Sequence, residues 1–190
     1  MTSVAGYAPM TVADIIETAG ISRRTFYDLY DSKEDAFLKA LDAVSRDVFA
    51  LVLEAFESGD GLAGRLSAAI GALLDYFAQN PADADMCLVA VMGAGPDAVD
   101  RRNEAVGRFA DLIRQAVDQE LPKRNRPPDL VAEAIVGGVY EILYARVLQG
   151  HADRLPQLLP DLMYAVLQPY LGREQAVDEQ KRLRRMQSRK

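Results

Sequence analysis

The stretch TVADIIETAGISRRTFYDLYDSKEDAF, Thr11 to Phe37, holds two short helices and the start of a third. Thr11 is an N-cap, and Asp14, three residues on, completes a capping box. Val12, Ile15, Ile16 and Ala19 then share one helix face. Gly20 reverses the chain, since glycine adopts a positive φ without steric cost. Ser22 caps the next helix, whose apolar face is Phe26, Leu29 and Tyr30. Asp31 or Ser32 caps a third helix, with Glu34 and Asp35 at its positive end. Two short helices across a glycine turn are a helix-turn-helix signature, in which the second helix enters the major groove with its N-terminal residues leading. Arg23, Arg24 and Tyr27 lie off the apolar face, near the start of that helix. Arginine binds guanine in a bidentate manner and also binds phosphate, and Thr25 donates to phosphate or touches a thymine methyl. Tyr27 and Lys33 suit phosphate oxygens, which set register rather than sequence preference. By spacing alone, an ordinary helical hairpin with two solvated arginines fits equally well.

The remaining chain continues the helical period. The third helix carries Phe37, Ala40, Leu41, Val44, Val48, Leu51, Val52 and Ala55 on one stripe and ends near Ser58-Gly59-Asp60-Gly61. Further helices are expected at Leu62–Gln79, Ala82–Met92, Asp97–Glu120, Asp129–Gln149 and from Pro156 to Leu171. Breaks fall at Asn80-Pro81, at Gly93-Ala94-Gly95-Pro96 and in the loop PKRNRPP from Pro122 to Pro128. No strand pattern stands out, so the fold class is all-α. The net charge is −6 and apolar residues make up 49% of the 190 residues, enough for a sizeable core. One cysteine, Cys87, and one histidine, His151, exclude an internal disulfide and a His/Cys zinc site. No apolar run reaches the roughly 18 residues of a membrane span. The expectation is a soluble, cytoplasmic protein with no membrane partner, no metal and no cofactor.

The run from Thr11 resembles the DNA-binding segment of tetracycline-repressor-like (TetR) transcriptional regulators. The resemblance rests on Thr11-Val12, Ile15, Ala19-Gly20-Ile21-Ser22, Thr25, Tyr27, Tyr30 and Ser32-Lys33-Glu34, with Gly6-Tyr7 as the Gly-aromatic pair before them. It covers residue 6 to about residue 38. It implies a homodimeric repressor with a homeodomain-like three-helix head that binds a near-palindromic double-stranded DNA operator, and a helical body that binds a small-molecule effector. The implied DNA-binding set is Thr11, Ser22, Arg23, Arg24, Thr25, Tyr27 and Lys33. Three departures stand out. Arg24 replaces a frequent glycine, and Leu29 replaces a frequent histidine or tyrosine that touches the DNA backbone. Asp28 repels phosphate unless Arg24 pairs with it. The family also has a helix before Gly6, where only MTSVA stands here. The first head helix is therefore expected to be truncated, uncovering Val12, Ile15, Ile16, Phe26, Tyr30 and Phe37 at about 1.5–3 kcal/mol for each side chain left without its cover. The alternative is a truncated family member that does not bind DNA and acts through dimerisation or ligand binding.

On this reading residues 1–38 form the head, 39–172 the ligand-binding and dimerisation domain, and 173–190 a charged tail. In the family the last two long helices pair across the dimer. The interface set is Ile135, Gly137, Gly138, Val139, Ile142, Leu162 and Val166. Mid-helix glycines at 137 and 138 call for a packing reason, such as close helix approach within the subunit or across a dimer. Phe49, Phe56, Tyr76, Phe77, Met86, Met92, Phe109, Tyr140 and Tyr144 are the candidates to line an effector pocket for an apolar or aromatic ligand, against the simpler reading that they are core. Cys87 reads as a buried small hydrophobe, His151 as a helix-end cap or surface residue, and the six positive charges of KRLRRMQSRK as a solvated run. The chain has no G-x-S-x-G, no phosphate-cradling glycine loop and no H-E-x-x-H, so a helical enzyme is the weaker competing class.

Overall fold

A computed structural model describes residues 10–188, and all regular structure among them is helical. MTSVA, the Gly6-Tyr7 pair and the expected truncation lie outside the described residues. The helices are α1 (Val12–Ala19), α2 (Arg23–Leu29), α3 (Lys33–Ser58), α4 (Gly61–Gln79), α5 (Pro81–Ala84), α6 (Pro96–Glu120), α7 (Leu130–Leu148) and α8 (Leu159–Gln187). Between α5 and α6 the chain makes a π turn at Asp85–Val89 and a 3-10 turn at Ala90–Gly93. A 3-10 segment, Ala152–Leu158, leads into α8.

The head obeys its local signals. The Thr11 hydroxyl and the Asp14 carboxylate close the capping box, with Thr11 N–H donating to Asp14 at 2.7 Å. Gly20 takes φ 65°, and its N–H closes the end of α1 on Ile16 and Glu17 carbonyls. The hydroxyls of Ser22 and Ser32 accept from Thr25 N–H and Asp35 N–H, so Ser32, rather than Asp31, caps α3. Phe26 is fully buried, with Tyr27 and Tyr30 each placing a ring 5.3 Å from it. No residue of α1 reaches full burial, and Val12, Ile15 and Ile16 are half-buried. Leu29 corrects the expected inward face, being 58% exposed. The helix ends there and Tyr30 is already extended at φ −137°, so the chain turns away before Leu29 is covered.

α3 leaves the head and packs along α4, and together with α6 and α7 it encloses the main core. At the α3–α4 corner a Cβ on Gly59 would stand 2.6 Å from the Arg65 backbone, so only glycine permits the close turn. α6 matches its expected span to within one residue. The α8 region does not. The expected helix from Pro156 is a 3-10 turn as far as Leu158, and the chain kinks at Gly172 (φ 80°, ψ 171°) and continues as helix to Gln187. The segment expected as a solvated tail is docked. Ala176 and Leu183 are buried, and Gln180 and Arg184 both donate to Asp161. Ala176 before the basic run and Leu183 inside it stand i, i+7 on one face and seat that helix.

Candidate functional site

Two features concentrate chemistry: the outer face of the head and a cavity in the body. On the head, α2 presents Arg23, Arg24 and Tyr27 to solvent. Arg23 stacks over the Tyr27 ring at 5.8 Å, an i, i+4 contact that holds both side chains on one face. The Arg24 side chain, 91% exposed, reaches Asp28 at 3.9 Å, so the carboxylate that would repel phosphate has a cation beside it. Ser22 and Thr25 share a 2.8 Å hydroxyl hydrogen bond, and Thr11 is engaged with Asp14, so these three hydroxyls hold the ends of helices. Lys33 is half-buried at the start of α3.

Lys39, absent from the sequence-based set, fastens the head. Its ammonium donates to the Leu29 carbonyl at 3.1 Å and to Asp35 at 2.9 Å, tying the end of α2 to the first turns of α3. The Asp35 carboxyl is held below its usual value, first by the Lys39 hydrogen bond and next by the Asp31 N–H. The i, i+4 spacing of Asp35 and Lys39 is the sequence signal for the pair.

The body encloses a cavity of about 130 Å³ between α3, α4, α6 and α7. Of the nine residues expected there, Phe56, Phe77, Phe109 and Tyr140 line it. Phe49, Tyr76, Met86, Met92 and Tyr144 do not. Phe49 packs on the Phe109 ring at 5.4 Å, and Tyr76 turns its hydroxyl to Asp83 at 2.6 Å, which pushes the phenol up to about 12. Met92 is exposed beside a glycine turn. Aromatic identity at helical spacing shows that a residue is inward-facing but not which side of a helix faces the void.

One end of the cavity is polar. Ser45 of α3, Cys87 of the π turn, Arg102 of α6 and Tyr140 of α7 line it. The Arg102 guanidinium lies 3.7 Å from the centre of the Tyr140 ring, and the Tyr140 hydroxyl donates to the Leu88 carbonyl at 3.0 Å. Burial raises the Tyr140 phenol, with Arg102 opposing the shift. Burial also pushes the Cys87 thiol up to about 12, Asp83 adds to the rise, and a hydrogen bond with Ser45 works against it. Cys87 is thus a neutral thiol in a weakly polar wall. Sequence reading missed Ser45 and Arg102. The signal for Arg102 was its place in the stripe Ala98, Arg102, Ala105, Phe109, Ile113, a cation among apolar residues at i, i+3 and i+4.

The expected interface residues divide. Leu162 (4% exposed) and Val166 (1%) are core of the single chain, because α8 turns those positions onto its own body; this corrects their assignment. Ile135 and Val139 line the cavity. Gly137, Gly138 and Ile142 are exposed, and a Cβ on either glycine would meet nothing within 4 Å. Close packing inside the subunit is therefore not what these glycines serve.

Residues 3–40 match a family model described as bacterial regulatory proteins, tetR family. Among solved structures the chain is similar to the fatty acid degradation regulator FadR from Bacillus halodurans, with a TM-score of 0.70 and 15% sequence identity, over 88% of this chain and 91% of that one. At that identity the likeness concerns the fold. No curated protein matches the chain. The head thus matches the tetR family of bacterial regulatory proteins over residues 3–40, and the helical chain shares the fold of a solved regulator.

Proposed function

We propose that this protein is a homodimeric, ligand-responsive transcriptional repressor whose two heads read a near-palindromic operator. The observation that carries this reading is the double duty of α3. Its first turns hold the head through Ser32, Asp35 and Lys39, and further along Leu41, Ser45, Val48, Val52 and Phe56 line the cavity. These lining positions extend over about 22 Å of one helix, at 1.5 Å per residue. A molecule in the cavity touches the element that aims the recognition helix. Arg23, Arg24 and Tyr27 supply the outward DNA contacts, while Ser22, Thr25 and Thr11 keep the helix ends in place for them.

Dimerisation is assigned to the outer face of α7. Leu130 (69% exposed), Ala134, Gly137, Gly138, Ala145 and Leu148 (59%) lie along one side of that helix. The opposite side builds the core, so α7 is apolar on most of both faces, with the exposed Glu141 as the charged residue within the outer one. Small residues on the outer face allow a partner helix to come close. Two heads a helical turn apart then sum their contacts on one duplex.

The cavity wall is apolar apart from its polar end, which favours an effector with an apolar or aromatic body. Effector binding acts by favouring a dimer whose heads no longer match operator spacing, and only a difference in affinity between the two states drives that shift. The test is selection of random duplexes by the full chain across a salt series. A single near-palindrome bound by a dimer, with affinity falling steeply in salt, supports the reading. A dimer that binds small molecules and no DNA assigns the activity to the body alone.

A further inference from the structure

The cavity holds a cation with no carboxylate beside it among the described residues. Among the described residues Arg102 is the only charged side chain that lines it. Its neighbour Arg101 is paired with Asp42, and Arg65, Arg114 and Arg126 each have a carboxylate, but no carboxylate of the described residues lies within 4.0 Å of the Arg102 guanidinium. Arg102 Nη1 donates to Asn103 at 2.8 Å, and the buried Nε–H donates to nothing. The guanidinium carbon lies 3.7 Å from the centre of the Tyr140 ring and Arg102 also acts on the Tyr140 hydroxyl, yet neither contact satisfies the Nε–H. A buried donor without an acceptor is costly, and a planar carboxylate matches the in-plane donors of arginine in a bidentate manner.

We infer that the cavity takes an amphipathic monocarboxylate, with the apolar body along α3 and the carboxylate on Arg102. This rests on the reading of the cavity as the effector site. One wall charge sets the charge of the ligand: a neutral acceptor can satisfy Nε–H but leaves the guanidinium charge unbalanced, and a dianion leaves one negative charge unbalanced among apolar side chains. The remaining polar groups at that end, the Ser45 and Tyr140 hydroxyls, bear no charge and add none to the balance. The ligand's apolar body runs past Val48, Val52 and Phe56. Its head sits where α6 and α7 face the half of α3 nearer the DNA-binding head, so the charged contact is made beside the lever.

The experiment is calorimetric titration of the full chain with n-alkanoates from hexanoate to dodecanoate and with the 1-alkanols of the same lengths. The alkanoates bind at least about tenfold tighter than their alcohols, the margin of one charge-assisted hydrogen bond. Arg102→Gln removes that margin, so that acid and alcohol of one length bind alike, while Arg102→Lys keeps part of it. Equal affinity of acid and alcohol for the unaltered chain overturns the inference without recourse to any variant, as does a margin that survives in a folded Arg102→Gln protein. Failure of every probe to bind overturns the inference together with the effector reading of the cavity. Duplex selection, measured separately, still reports whether the head binds DNA.

Discussion

Arg101 of α6 is salt-bridged to Asp42 of α3, one position before the arginine that enters the cavity. Adjacent residues on one helix therefore tie α6 to α3 and line the cavity. Both partners are about half exposed, so the pair adds no more than ~1 kcal/mol to stability. Asp42→Asn is expected to leave the melting temperature nearly unchanged and to shrink several-fold the change in DNA affinity that ligand produces. Titration of operator with and without ligand checks this, and an undiminished response removes the pair from the coupling.

Arg24 and Asp28 stand 3.9 Å apart on the exposed face of α2, which the proposed function turns toward DNA. Arg24→Ala is expected to weaken DNA binding and to lower the slope of log affinity against log salt by about one. Asp28→Asn has the reverse sign, since it removes an anion from the approach of phosphate. Fluorescence anisotropy at several salt concentrations separates the two. Equal losses in both variants would mean that the pair acts as a structural unit.

Gly20 stands in open space at φ 65°. Alanine there meets no neighbour, so its cost is conformational only, about 1–2 kcal/mol. Gly20→Ala is expected to loosen the α1–α2 corner and reduce DNA affinity, with Gly20→Asn the milder change because asparagine tolerates the left-handed region. Hydrogen exchange of the α2 amides reads the effect directly.

The Cys87 thiol has its folded value raised to about 12 from 9.0. Below pH 9 both folded and unfolded chains keep the proton, and the neutral thiol's full contribution is present. Between pH 9 and about 12 the unfolded chain loses the proton first, so this contribution falls as pH rises. The stability advantage of the unaltered chain over Cys87→Ala should be full at neutral pH and shrink above pH 9. Alkylation of Cys87 in the folded protein at pH 8 is expected to be far slower than in urea.

Leu183 lies inside the basic run near the C-terminus and is buried. Leu183→Ala is expected to cost about 2–5 kcal/mol, the range for truncating a buried leucine. A solvated tail would show no change. Thermal denaturation distinguishes the two, and operator affinity below the transition should be untouched.

The head was legible because its signals are local. Thr11 with Asp14, Gly20, Ser22 with Thr25 and Ser32 with Asp35 act over three or four residues, within reach of the chain itself. Phe26 followed from periodicity for the same reason. Leu29 escaped it because the helix stops at that residue, and the fate of an end residue depends on where the next element goes.

Sequence alone determined that the chain is helical, that Gly20 separates two short helices and that Arg23, Arg24 and Tyr27 face away from the head's core. Periodicity and capping are properties of single segments and need no partner. Only the tertiary structure decided that Phe56, Phe109 and Tyr140 share a cavity while Tyr76 and Met92 do not, that Leu162 and Val166 belong to the subunit's own core, and that Arg102 lines the cavity's polar end with no carboxylate beside it among the described residues. Each of those depends on how helices far apart in the chain rotate against one another. A helical period places a residue on a face, but packing decides what that face meets.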